Sequence, residues 1–151
     1  MKHFISLFLI GIFFIHSTSS WAGTEKIGAL RKVSGTGFVQ RAEQTQTIQA
    51  LEGLAIYQND TISTTDDASL GIVFIDATRI SLGSNSQLTI SKYIFNPSQK
   101  KFSMLTKMMK GTASFVSGKI SKLSPGSALI ETPDATIASR GTSFLIKVEE
   151  R

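Results

Sequence analysis

The run SLGIVFIDATRISLGSNSQLTI, Ser69 to Ile90, carries the period-two alternation of β-strands, and it sets the fold class around which the rest of the chain is read. Leu70, Ile72 and Phe74 fall on one parity and Gly71, Val73 and Ile75 on the other, so the first segment predicts a strand buried on both faces. Asp76-Ala77 breaks it. Ile80 and Leu82 then alternate with Arg79, Ser81 and Gly83, and Leu88 and Ile90 with Thr89 and Ser91, the pattern of half-buried strands joined through Gly83-Ser84-Asn85-Ser86. The weak joint is the first hairpin turn. A two-residue loop of the Asp-Gly kind needs positive φ at its second position, which the Cβ of Ala77 resists.

The flanks continue in the same style. Ile27 to Arg41 suits two short strands hinged at Gly35-Thr36-Gly37, and Ile48 to Leu54 fits either a strand or a turn of helix. Thr61 to Thr64 leads through Asp66-Asp67 into the central strand, and Lys92 to Phe95 is a strand-like piece ended by the turn Asn96-Pro97-Ser98. Lys101 to Lys110 admits two periods: Phe102, Met104, Thr106 and Met108 alternate, whereas Phe102, Leu105 and Met109 share a helical face. The alternation of Thr112, Ser114 and Val116 beyond Gly111 selects the strand. Ala128 to Glu131 reads as a strand, Thr132 to Ala135 as a turn, and Thr136 to Val148 as a last pair of strands broken at Gly141. The fold class is therefore all-β, a compact roll or sandwich or a short solenoid of short strands.

A chain of 151 residues, 41% of them apolar, supports one domain with a real core. Residues 1–22 predict a cleaved signal peptide: Lys2 and His3 form a basic start, Phe4 to Ile15 an apolar stretch, and Ser20-Trp21-Ala22 a small-x-small site before Gly23. That stretch is well short of the roughly 20 residues that cross a bilayer. The mature domain, 23–151, is then periplasmic or secreted, without a stable membrane span. There is no cysteine, hence no disulfide and no lipid-bearing thiol, and the only histidines, His3 and His16, leave with the signal. Ser-His-Asp, Cys-His and His-ligated zinc chemistry are excluded for the mature form, and no cofactor is expected.

The charge is blocked. Gly23 to Asp76 has four bases against seven acids, net −3; Ala77 to Ile130 has eight bases and no acid, net +8; Glu131 to Arg151 has three bases and four acids, net −1. Lys100, Lys101, Lys107, Lys110, Lys119 and Lys122, within the Lys-rich block 92–122, could meet an anionic glycan or glycolipid; they equally suit the solvent face of successive strands. Missing arginines and stacking aromatics disfavour nucleic acid. Ser117-Gly118-Lys119 lacks the earlier glycine of a phosphate loop, since position 113 is alanine, and nothing local lowers a lysine pKa for a Ser-Lys nucleophile. Asp66-Asp67, with Asp60, lack calcium-loop spacing. Arg140, placed before Gly141 in an apolar terminal segment, needs a carboxylate; Asp76 or Asp60 would clamp the last strand onto the central hairpin.

Taken in order, Asn59-Asp60-Thr61-Ile62-Ser63-Thr64, the strand into Asp76-Ala77-Thr78, Asn96-Pro97, Lys110-Gly111, Phe115-Val116-Ser117-Gly118, Glu131-Thr132-Pro133 and Arg140-Gly141-Thr142-Ser143-Phe144 resemble the FecR domain, with the core of the likeness over 59–148. The resemblance singles out Asp60, Asp76, Thr78, Gly111, Gly118, Thr132, Pro133, Arg140, Gly141 and Thr142 as motif positions. Two departures are Ala77, where the family pattern has Asp-Gly-Thr, and Asn59, where glycine is common before the aspartate. The resemblance implies an extracytoplasmic all-β module that works by protein contact and not by catalysis. Its best-known members are inner-membrane regulators that sense an outer-membrane receptor and control a sigma factor. They carry a cytoplasmic segment and a membrane span where this chain has the signal-like stretch. The expectation is thus a non-enzymatic interaction module contacting another envelope protein, with the Lys-rich block as an alternative glycan-binding surface.

Overall fold

The computed structural model describes residues 25–42 and 44–149. The signal-peptide expectation for 1–22 lies outside the described residues. Twelve strands and one short helix follow in the order β1 (Gly28–Ser34), β2 (Gly37–Gln40), β3 (Thr47–Gln49), β4 (Ala55–Ile56), β5 (Thr61–Thr64), β6 (Ser69–Phe74), β7 (Arg79–Leu82), β8 (Gln87–Asn96), β9 (Lys101–Val116), α1 (Lys119–Leu123), β10 (Ala128–Glu131), β11 (Thr136–Ser139) and β12 (Ser143–Val148). The strands form one sheet in the order β3-β2-β5-β8-β9-β7-β6-β1-β4, with β10 and β12 added along β9 and β11 along β10. The chain is all-β, as the sequence predicts, and its sheet curls into a half-barrel.

β9 makes the curl. Up to Lys110 it pairs with β8, and over Met104 to Lys107 also with β10; beyond Gly111 it pairs with β7 and β12. Gly111 takes φ 91°, and a Cβ there would collide with Ser86, whose Oγ receives the Thr112 N–H at 3.0 Å. One long strand thus bends between two halves of the sheet, and glycine permits the bend.

The two halves face each other across two cross-strand apolar rows. Leu30, Ile72, Ile80 and Phe115 are successive partners on β1, β6, β7 and β9. Val39, Ile62, Leu88 and Met108 are successive partners on β2, β5, β8 and β9. All eight are buried, at about 1.5–3 kcal/mol each for a large side chain. Phe144 on β12 extends the first row by stacking on Phe115, with centroids 5.2 Å apart.

Several expectations are corrected here. β6 is buried on one face only: Leu70, Ile72 and Phe74 are in the core, whereas Val73 is half-buried and Ile75 is 48% exposed, because a curled single sheet has one inner face. The β6–β7 loop holds three residues, Ile75 to Ala77, since Phe74 N–H bonds the Thr78 carbonyl; Ala77 nonetheless takes positive φ, 67°. Lys92 to Phe95 is no separate piece. β8 runs unbroken from Gln87 to Asn96 and absorbs a register shift between Ile90 and Lys92. Helix α1 was not anticipated. β10 pairs with β9 in parallel, so the chain must return along the molecule between them, and α1 lies in that crossover.

Candidate functional site

Asp76 sits in the β6–β7 turn with no exposed surface. Its Oδ1 accepts the Tyr93 hydroxyl at 2.9 Å and Thr78 N–H at 3.2 Å; its Oδ2 accepts Thr78 Oγ1–H at 2.7 Å and Ile120 N–H at 3.1 Å. Its carbonyl accepts Lys119 N–H at 2.8 Å. Gly118 N–H completes the web on Thr78 Oγ1 at 3.1 Å. A side chain at Gly118 would run into Thr78 and the Asp76 carbonyl, which explains glycine at that position by close approach. Three elements, the turn, β8 and the start of α1, are thereby tied to one carboxylate. Burial and the Asp76 charge push the Tyr93 phenol well above the usual tyrosine range.

Asp60 is likewise buried, and Arg41 Nη1 pairs with its Oδ2, which also accepts Tyr57 N–H at 2.8 Å. Arg41 Nη2 donates to the Ala55 carbonyl at 2.9 Å, and its guanidinium lies 4.7 Å from the Tyr57 ring centre. Burial raises the Asp60 carboxyl above the ordinary value, while Tyr57 N–H and Arg41 pull it back. The expected clamp from Arg140 is therefore corrected. Asp60 is taken by Arg41, Asp76 by Thr78, Tyr93 and backbone, and Arg140 is exposed. The last strand is closed instead by the β12–β9 ladder and by the Thr142 carbonyl, which accepts Ser117 N–H at 3.3 Å and Ser117 Oγ–H at 2.8 Å.

The other motif positions are turn-formers. Thr132 Oγ1 accepts Ala135 N–H at 3.0 Å in the β10–β11 turn beside exposed Pro133, and Gly141 takes φ 87° in open space. Asn59 and Ala77, the two departures from the family's glycines, both occupy left-handed backbone, at φ 68° and 67°. Tyr93 and Arg41 were missed. A tyrosine on a core-facing strand position needs an acceptor for its hydroxyl, and that demand was the available signal.

The lysines of the block lie on several elements. Lys100 and Lys101 stand at the β8–β9 hairpin, Lys107 pairs with Glu131 at 3.4 Å, and Lys110 is engaged within the chain. Lys119 and Lys122 are on α1, where with Arg79 they line a depression of about 510 Å³. Among the described residues, no group of His, Cys, Asp or Glu could hold a metal, and no helix is long and apolar enough to cross a membrane.

At the sheet's margins, β3, β4 and β11 are short edges of three, two and four residues. β12 has six and is paired on one side only among the described residues. It carries Leu145, 74% exposed, on its outer face.

The structure is thus an all-β module whose two buried carboxylates are engaged by internal donors and whose β12 edge is unpaired on one side among the described residues. The family model described as FecR protein matches residues 60–151, and the chain belongs to the FecR family. FecR-family proteins are signalling and regulatory proteins associated with the cell envelope. No curated protein and no solved structure matches the chain. The match begins at β5, yet β1 pairs with β6 and β2 with β5, so residues before it complete the same sheet.

Proposed function

We propose that this protein is a non-enzymatic interaction module, periplasmic or secreted, whose mature domain spans 23–151 after loss of the 1–22 segment. It binds another envelope protein by accepting an extended segment of that partner along β12. The observation that carries this reading is the β12 edge: six residues that include the strong β-formers Phe144, Ile146 and Val148, one side unpaired among the described residues, and an exposed Leu145 at its centre. Lys147, held by Glu149 at 3.1 Å, is a gatekeeper that discourages indiscriminate edge pairing. Family membership supports a signalling context, because its members act through other proteins.

Envelope extracts passed over the immobilised protein test this at low and moderate ionic strength. A partner held by a strand ladder and Leu145 stays bound as salt rises and is lost with Leu145→Lys. Retention by Leu145→Lys, or release by salt alone, overturns the reading.

A further inference from the structure

The depression beside the β6–β7 turn has a composition that the fold does not require. Arg79 from β7 and Lys119 and Lys122 from α1 line it, all exposed, and no acidic side chain among the described residues pairs with any of them. Lys119 and Lys122 are three apart on the helical turn, so both project to the same side. The one carboxylate in the lining, Asp76, is fully buried and already accepts four donors. The nearby backbone N–H groups of Gly118, Lys119 and Ile120 are equally occupied, by Thr78 Oγ1 and by Asp76. Three like charges around a cavity of about 510 Å³ repel one another until an anion enters. Val73 and Ala77 give the same cavity apolar lining, and the Asp76 web fixes both elements that carry the cations.

We propose that this cleft binds a ligand bearing clustered negative charge, a phosphate or pyrophosphate group attached to a less polar body. Recognition is by Arg79, Lys119 and Lys122 side chains, because the backbone donors are occupied. The shared chemistry is the phosphate group, whether it belongs to a lipid headgroup or to a soluble phosphorylated compound. None of the residues that line the cleft belongs to β12, so its ligand binding stands or falls apart from partner binding there.

Pyrophosphate titrated into the isotope-labelled whole chain, with amide shifts followed by NMR, tests it. Saturable shifts are expected around Ala77, Arg79 and Lys119. The combined Arg79→Gln, Lys119→Gln, Lys122→Gln variant, altered only at exposed positions, should keep its melting temperature and lose affinity about tenfold or more. A Lys100→Gln, Lys101→Gln variant should bind as the parent does. Sedimentation with vesicles rich in phosphatidylglycerol separates the sources: vesicle binding lost in the triple variant assigns a headgroup, and pyrophosphate binding without vesicle binding assigns a soluble ligand. Equal loss in both variants, shifts spread over all lysines, or no binding to either probe overturns the proposal.

Discussion

The Tyr93 hydroxyl donates to Asp76 Oδ1 at 2.9 Å, and the Asp76 backbone N–H donates back to the same tyrosine oxygen at 3.1 Å, so strand β8 and the β6–β7 turn are joined reciprocally. Tyr93→Phe keeps the ring stacked on Phe74, 5.4 Å away, and removes only the hydroxyl. The expected loss is about 2 kcal/mol, the size of a hydrogen bond to a charged group. Asp76→Asn should cost more, about 3 kcal/mol or above, because an amide cannot accept from all four donors. Urea unfolding of both variants checks the order; a smaller loss for Asp76→Asn contradicts it.

The same pair makes the fold sensitive to alkali. Tyr93 in the native state is held neutral by burial and by Asp76, whereas the unfolded phenol ionises at about 10. Stability from this group is therefore complete below about pH 10 and lost as pH rises beyond it, since the unfolded state then binds fewer protons. In a Tyr57→Phe background, which leaves Tyr93 as the only tyrosine, the ultraviolet phenolate signal should appear together with loss of the folded circular dichroism spectrum. Phenolate formed while the fold persists would contradict the buried pair.

Arg41 neutralises a carboxylate that burial disfavours. Arg41→Gln leaves Asp60 buried without its cation and should cost about 3–5 kcal/mol near neutral pH. The Asp60 carboxyl, already raised in the native protein, rises further in the variant. Its contribution is then favourable below the unfolded carboxylate value of about 3.9 and lost as pH climbs. The deficit relative to the parent should thus shrink on acidification. Urea midpoints measured across the acid range check this, and a deficit independent of pH contradicts it.

Ala77 in the β6–β7 turn and Gly118 packed against that turn from the start of α1 make opposite demands. Ala77→Gly relieves a left-handed alanine and should stabilise by about 1 kcal/mol, whereas Asn59→Gly should change little because asparagine tolerates that conformation. Gly118→Ala forces a Cβ against Thr78 and Asp76 backbone and should destabilise by roughly 3 kcal/mol or more. Thermal melts of the three variants separate them.

Strand positions were legible because the period-two pattern is local. β5, β6, β7, β10 and the long β9 follow from it, Gly111 and Gly141 marking a bend and a break. Partnerships were not legible. Nothing in the neighbourhood of Arg140 distinguishes it from Arg41, and only the β2–β5 pairing, which sets Gln40 opposite Thr61, brings Arg41 to Asp60. Two-sided burial of β6 was inferred from Val73 and Ile75, but apolar residues on an outer face are common and do not by themselves report a second layer. The convergence of Arg79 with Lys119 and Lys122 depends on the β7–β9 pairing, which sets Arg79 opposite Val116 just before α1 and which no local pattern encodes.

The strand-edge reading is tested most directly by a photo-crosslinking residue placed at Leu145 in intact cells, with the same residue at Leu51, another exposed apolar position, as reference. Capture of one discrete envelope protein from position 145 and not from 51, abolished when Lys147 is changed to proline to block β12, is the expected result. Equal capture from both positions, or recovery of lipid or polysaccharide alone, would contradict it.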